Sequence, residues 1–346
     1  MDWQEQLRSS VTSLDELRAR GFQVQAQREA FPMRITPHVL SLMERDTASC
    51  PIGRQFVPLP EELEAMPAEL ADPVDEDRRA VAGVLVHAYP DRALLLAAQR
   101  CATYCRHCFR KRLVGRRPPP TAGQLEQALS YLETRPEIHE VILSGGDPLV
   151  LPDAQLDALL GALRQRLGDR VLRIHSRVLS TLPQRITQGL VDLLEGYGVL
   201  YLVTQINHPR EITPETQVAA RRLRKAGIVL ANQCVLLRGV NADLATMRQL
   251  CLALYRIGIR PYYLFQCDYT QGTAHFRTTL AEGRAIARGL EGRISGPAVP
   301  RYAIDCPGIR KVLITADSCT PRGDGTYLLR NSEGQELIYD EPGLTR

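Results

Sequence analysis

Six apolar runs alternate with stretches of helical spacing through the middle of this chain, and no other feature restricts its fold as much. The runs are ALLLAA (93–98), EVILSGG (140–146), LRIHSRV (172–178), VLYLVTQIN (199–207), IVLANQCVLL (228–237) and RPYYLFQC (260–267). Between them lie QLEQALSYLE, AQLDALLGALRQRLG, TQGLVDLLEGYG, PETQVAARRLRKAG and LATMRQLCLALYRIG, whose apolar residues recur at a 3.6-residue period. Gly168, Gly198, Gly227 and Gly258 fall where those helices should stop. Strands that alternate with helices pair in parallel through right-handed crossovers, and runs without clean alternation suit strands buried on both faces. The expected fold is α/β, a partial (β/α)6 TIM-type barrel over 81–278. A helical N-terminal extension with proline-rich joints precedes it at 1–80, and a small C-terminal α+β extension follows at 279–346. No internal repeat appears beyond the βα unit.

In such a barrel the loops at the carboxyl ends of the strands carry the chemistry. The motifs of this chain gather there: a cysteine loop after the first run, SGGDP after the second, NHP after the fourth, LRGVN after the fifth and CD after the sixth. Composition limits the rest. With 346 residues, 44% of them hydrophobic and 24% charged, the chain can bury a large core. The net charge of +4 is too small to argue for nucleic acid, and Arg221, Arg222, Arg224 and Lys225 read as the solvated face of one helix. No run reaches the roughly eighteen apolar residues that would cross a membrane, and MDWQEQLRSS is no signal peptide. A cytoplasmic enzyme is expected. Nine cysteines suit a reducing compartment, where Cys50, Cys234, Cys251, Cys267, Cys306 and Cys319 would be buried or incidental.

The other three, Cys101, Cys105 and Cys108, stand in CATYCRHCFRKR with gaps of three and two residues. A [4Fe–4S] cube ordinarily takes four cysteines, so a compact loop of three leaves one iron open to a ligand that is not protein. S-adenosylmethionine is the obvious one. A structural zinc would need a fourth protein ligand, and His107 is cramped between two of the cysteines. In LSGGDPL, two glycines after a strand let backbone groups approach a ligand, and Ser144 and Asp147 add polar contacts beside Gly145 and Gly146.

The CxxxCxxC spacing resembles the signature of the radical S-adenosylmethionine superfamily. Further motifs narrow the resemblance to the lysine 2,3-aminomutase family: CATYCRHCFRKR, LSGGDPL, NHPREIT, NQCVLLRGVN, YYLFQCD, GTAHFRT and YAIDCPG stand in the family's order between roughly residues 75 and 343. That family moves an amino group between neighbouring carbons with the cluster, S-adenosylmethionine and pyridoxal 5′-phosphate. The resemblance implies that Cys101, Cys105 and Cys108 ligate the cluster. Ser144, Gly145, Gly146, Asp147, Gln205 and Gln233 would lie around S-adenosylmethionine. Tyr89 and Arg92 would hold pyridoxal phosphate, and Lys311 would be the catalytic lysine that binds it covalently. Arg110 would pair with the substrate carboxylate, and Asp268 and Asp305 with its distal ammonium. Partners implied are a small-molecule amino acid substrate, a flavodoxin or ferredoxin-type reductant and a second copy of the chain, with neither nucleic acid nor membrane.

Three departures keep other readings open. The family's DAPGGGGK is DCPGIRK here, so Lys311 lies one residue closer to Asp305, and Ile309 would be strained if the replaced glycines hold positive φ. Gln205 replaces a histidine of the family's THFNHP. The family's zinc-binding cysteines beyond the last strands have no counterpart, so no zinc is expected. The reaction implied is L-lysine to β-lysine. The alternatives are an aminomutase that supplies β-lysine to translation elongation factor P, a radical enzyme of this family that has lost pyridoxal phosphate, and an iron-sulfur electron carrier.

Overall fold

A computed structural model describes residues 1–64 and 66–341; the last residues of the expected C-terminal extension, 342–346, lie outside the described residues. Its frame is a ten-stranded sheet ordered as the strands occur in the chain: β1 (Ala80–Val81), β2 (Leu85–Tyr89), β3 (Arg92–Ala98), β4 (Glu140–Gly145), β5 (Val171–His175), β6 (Val199–Thr204), β7 (Val229–Leu236), β8 (Arg260–Gln266), β9 (Arg301–Cys306) and β10 (Arg310–Leu313). From β3 to β9 every neighbour pairs in parallel, and the antiparallel pairs β1–β2, β2–β3 and β9–β10 close the two ends. This is the expected partial barrel, with each of the six apolar runs forming one strand.

Helices Ala122–Glu133, Asp153–Leu167, Gln188–Gly196, Pro214–Lys225 and Leu244–Arg256 supply the crossovers, and Leu280–Leu290 links β8 to β9. Thr121, Thr187, Thr213, Asp243 and Thr279 cap five of the six by accepting an N–H of the first turn. Gly168, Gly198, Gly227 and Gly258 take positive φ where the helices stop. Leu95, Leu143, Ile174, Leu202 and Leu264 turn outward from the strands and are buried under these helices, alongside Leu132, Leu163, Leu194, Leu223 and Leu250.

The segment after Thr279 belongs partly to this sheet. RYAIDC adds β9 as a seventh parallel strand, unforeseen because it is short and interrupted by charge, and the KVLITA run enters as β10. The remainder, β11 (Cys319–Pro321), β12 (Tyr327–Arg330) and β13 (Glu336–Tyr339), forms a separate three-stranded sheet. The N-terminal residues build their own apolar cluster around Val11, Leu17, Ile35, Ile52 and Phe56, against which Cys105 packs. Among the described residues, no helix is long and apolar enough to cross a membrane.

Candidate active site

The cysteine loop leaves the carboxyl end of β3 and is fastened on two sides. On one side the glycine pair that ends β4 meets it, with Gly146 N–H donating to Ala98 C=O (2.6 Å) and Asp147 N–H to Arg100 C=O (2.8 Å). A Cβ on Gly145, whose φ is +118°, would stand 2.3 Å from the Ala98 oxygen, and one on Gly146 would stand 2.4 Å from the Arg100 oxygen. The close approach that requires glycine is thus made by the chain's own backbone. On the other side the N-terminal segment holds the loop: Tyr104 N–H donates to Arg34 C=O (2.9 Å) and Arg106 N–H to Gln55 C=O (2.8 Å). The buried Arg106 guanidinium pairs with both oxygens of the equally buried Glu62.

Cys101, Cys105 and Cys108 are free, partly buried and line one small cavity with Phe31, Tyr104 and Lys111. Burial pushes the Cys108 thiol up to about 11 and raises Cys101 well above its usual value, with the neighbouring Cys105 adding to both shifts. Among the described residues no three His, Cys, Asp or Glu side chains converge on a single ion. A cube does not require that convergence, because each thiolate takes a different iron. Arg177 donates from Nη1 to Cys105 Sγ (2.7 Å) and is held by Gln55 and Glu211 through Nη2. The donor set, three thiols beside a cation in a partly dry loop, suits an anionic iron-sulfur group.

The residues implied for S-adenosylmethionine lie on or just beyond strands β4, β6 and β7. Asp147 is buried and pushed up to about 6 by that burial, while Ser176 Oγ, Arg177 N–H and Leu149 N–H donate to its carboxylate. Its oxygens are therefore already engaged. Gln205 Nε2 lies 3.2 Å from His107 Nε2, and burial drives that imidazole well below its usual range, leaving it neutral. Gln233 sits half-buried on β7. Ser144 ends up under Arg110, whose Nη1 donates to its hydroxyl (3.0 Å).

Arg110 is not free. Its Nε lies 3.0 Å from both Glu76 oxygens and its Nη2 2.6 Å from one of them, a buried bidentate pair. Across the barrel, burial and the charge of Asp305 push Asp268 up to about 8, with Lys311 opposing. Lys311 and Asp305 are direct cross-strand partners in the β9–β10 hairpin, Nζ to Oδ1 3.8 Å. The ammonium also lies over the rings of Tyr263 (4.8 Å) and Phe265 (4.6 Å). Lys311, Asp268 and Asp305 are therefore together.

Tyr89 and Arg92 are elsewhere. They flank the β2–β3 turn at the amino end of β3, a strand length, roughly 20 Å, from the cysteines, so not every motif lies at the carboxyl ends. The hairpin that carries Lys311 reaches back to them, since the Arg310 guanidinium carbon is 5.4 Å from the Tyr89 ring centre and that of Arg92 is 3.9 Å away. The strain expected at Ile309 falls on Arg310 instead, at φ +60°, after Gly308 at +80°; Ile309 is buried with ordinary φ. An amine, aromatic faces and two guanidiniums are the donors that pyridoxal phosphate takes. Sequence reasoning missed Glu62, Glu76 and Arg177, for which the only signal was an acidic DED run and an arginine just after a strand end.

Residues 96–251 match the model of the radical SAM superfamily. L-lysine 2,3-aminomutase of Acetoanaerobium sticklandii is 39% identical over 350 residues, covering 99% of this chain and 84% of that protein. Glutamate 2,3-aminomutase of Clostridioides difficile is 36% identical over 317 residues, 91% of this chain and 75% of that protein. Among solved structures, a radical SAM methyltransferase from Sphaerobacter thermophilus aligns with 65% of this chain and 72% of its own, at TM-score 0.45 and 20% identity.

Proposed function

Because this chain is a radical S-adenosylmethionine aminomutase, an isomerase belonging to the lysine 2,3-aminomutase family, we propose that its substrate is free L-lysine, converted to β-lysine with the help of pyridoxal 5′-phosphate. The observation that carries the substrate is the pair Asp268 and Asp305, two neighbouring carboxylates near the carboxyl ends of β8 and β9, beside Lys311. A glutamate side chain would face like charges there, whereas a lysine ammonium leaving water finds the anionic partners it needs.

When bound, the cluster and S-adenosylmethionine supply one-electron cleavage and a carbon radical, and pyridoxal phosphate supplies the π system across which nitrogen migrates. The chain's own residues bind and orient. Cys101, Cys105 and Cys108 hold the cluster, with Arg177 donating to the Cys105 sulfur. Lys311 offers the amine for the cofactor, kept over two aromatic rings beside Asp305. At the opposite end of the substrate, Arg110 faces the α-carboxylate with donors it shares with Glu76 and Ser144. Asp268, whose carboxyl is pushed up to about 8 by burial and by Asp305, would give up its proton on pairing with the substrate ammonium. A flavodoxin- or ferredoxin-type reductant supplies the electron under this reading.

The test is anaerobic incubation of the reconstituted, reduced protein with L-lysine or L-glutamate, followed by amino acid analysis. β-Lysine is the expected product, and borohydride reduction should leave the cofactor on Lys311 in peptide mapping. Accumulation of 5′-deoxyadenosine with L-lysine but no β-lysine would refute the substrate.

A further inference from the structure

Arg310 is one of three non-glycine residues at positive φ among those described, and it lies in the DCPGIRK segment that departs from the glycine run DAPGGGGK of the family this chain resembles. A left-handed backbone costs an arginine free energy that a glycine would not spend, and residues held that way cluster where function needs them. The kink has a consequence. In an extended strand, neighbouring side chains point to opposite faces. A residue at φ +60° escapes that alternation, and Arg310 turns its guanidinium to the Tyr89 ring, the same ring that Arg92 lies over. Lys311 follows it directly in the chain. Closure of the β9–β10 hairpin sets which residue takes the positive φ, but it does not require an arginine there, and the side chain's present contact does little to offset the strain: its hydrogen bond goes to Glu333 (2.8 Å), a carboxylate 45% exposed, and surface pairs of that kind contribute little. Among the described residues, Arg92 likewise bonds the exposed Asp91 (2.7 Å). Two guanidiniums within 5.4 Å of one phenol, with no buried counter-charge of their own, make an anion site suited to a phosphate dianion.

Resting on the pyridoxal phosphate reading above, we infer that Arg310 and Arg92 together clamp the cofactor's phosphate, and that the altered DCPGIRK segment exists to bring a second arginine to it. Glu333 then steadies the outer side of the Arg310 guanidinium. The altered segment is on this view an adaptation for holding the cofactor, the reverse of a sign that it has been lost.

The experiment is spectroscopic titration of the full-length protein with pyridoxal 5′-phosphate and with pyridoxal, which lacks the phosphate, comparing wild type with R310Q, R310K and R310G. Charge-assisted hydrogen bonds of this kind correspond to about ten- to a hundredfold in affinity. Both R310Q and R310G should weaken pyridoxal phosphate by that factor and leave pyridoxal unchanged, with R310K between them. R310G relieves the positive φ, so its melting temperature should not fall, and it keeps the test usable if R310Q folds poorly. Wild-type affinity for pyridoxal phosphate in R310Q and R310G, or equal losses for both ligands, would overturn the clamp while leaving the cofactor reading intact. A wild-type protein that binds no pyridoxal phosphate would overturn both.

Discussion

Asp268 is the residue at which pH should be felt most. Burial first and the neighbouring Asp305 second push its carboxyl up to about 8, so between about pH 4 and 8 the folded protein holds a proton that the unfolded chain has released. Extra protons on the native state mean that this group's contribution to stability is full at low pH and is lost as pH rises through 8. Asp268→Asn removes that dependence, so thermal melts of the variant should lose less stability between pH 6 and 9 than wild type. Substrate binding runs the other way. A lysine ammonium needs the ionised form, and each pH unit below 8 leaves about a tenth as much of it. The KM for L-lysine should fall steeply from pH 6 to 8 and level off above. In Asp268→Asn it should be nearly flat with pH, with lysine bound roughly 2–5 kcal/mol more weakly above pH 8, as for a broken buried ion pair. Identical pH profiles for the two proteins would remove Asp268 from the pocket.

At the scale of elements, the cysteine loop is held in place by what packs on it. Arg106, inside that loop, pairs with Glu62 from the N-terminal segment, both nearly inaccessible at 2% and 1% side-chain exposure. Replacing Glu62 by Ala strands a buried guanidinium, and the expected loss is about 3–5 kcal/mol in denaturant unfolding, together with poorer iron retention after reconstitution. Changing both residues to methionine should recover much of the stability, since an apolar pair leaves no charge unpaired. A single Glu62→Ala variant that unfolds like wild type would show that the pair does not clamp the loop. The contrast with the strands explains what the sequence made legible. Strands buried on both faces must read as continuous apolar runs, so β3 to β8 were visible, and the glycines at helix ends marked the joints. The cysteine ligands were visible because their chemistry is a short-range spacing. Glu62 and Glu76 were not, because their partners lie 44 and 34 residues away and an acidic residue carries no mark of the arginine it will meet. The hairpin between β9 and β10 was misread for another reason: which residue of PGIRK takes positive φ depends on how the turn closes, and that is set by pairing of Lys311 with Asp305 rather than by residue preference.

For the whole molecule, the arrangement predicts where the metal's influence should end. The cluster loop is a shared boundary between the barrel and the N-terminal segment. Cys105 packs on the N-terminal apolar cluster, Thr36 donates to the Thr103 hydroxyl and, through its own hydroxyl, to Thr181 C=O, and the Arg106 guanidinium reaches the carbonyls of Phe31 and Pro32. The barrel strands β4 to β8 owe their order to the apolar layer under the crossover helices, a cluster that includes Cys234, Cys251, Cys306 and Cys319 as ordinary buried side chains and none of the three loop cysteines. Iron bound to the native loop alone stabilises the native state by mass action, so its removal should lower the melting temperature. The loss should be local, because protection against exchange varies from unit to unit within a fold. Chelating iron from the reconstituted protein is therefore expected to speed amide exchange at residues 101–111 and at 31–36 and 52–56, which press on them, while β4 to β8 exchange as before. Mass spectrometry of pepsin fragments resolves these regions. Uniform deprotection across the barrel would mean that the cluster supports the fold as a whole, and unchanged exchange at 31–36 would mean that the N-terminal segment docks without regard to the metal.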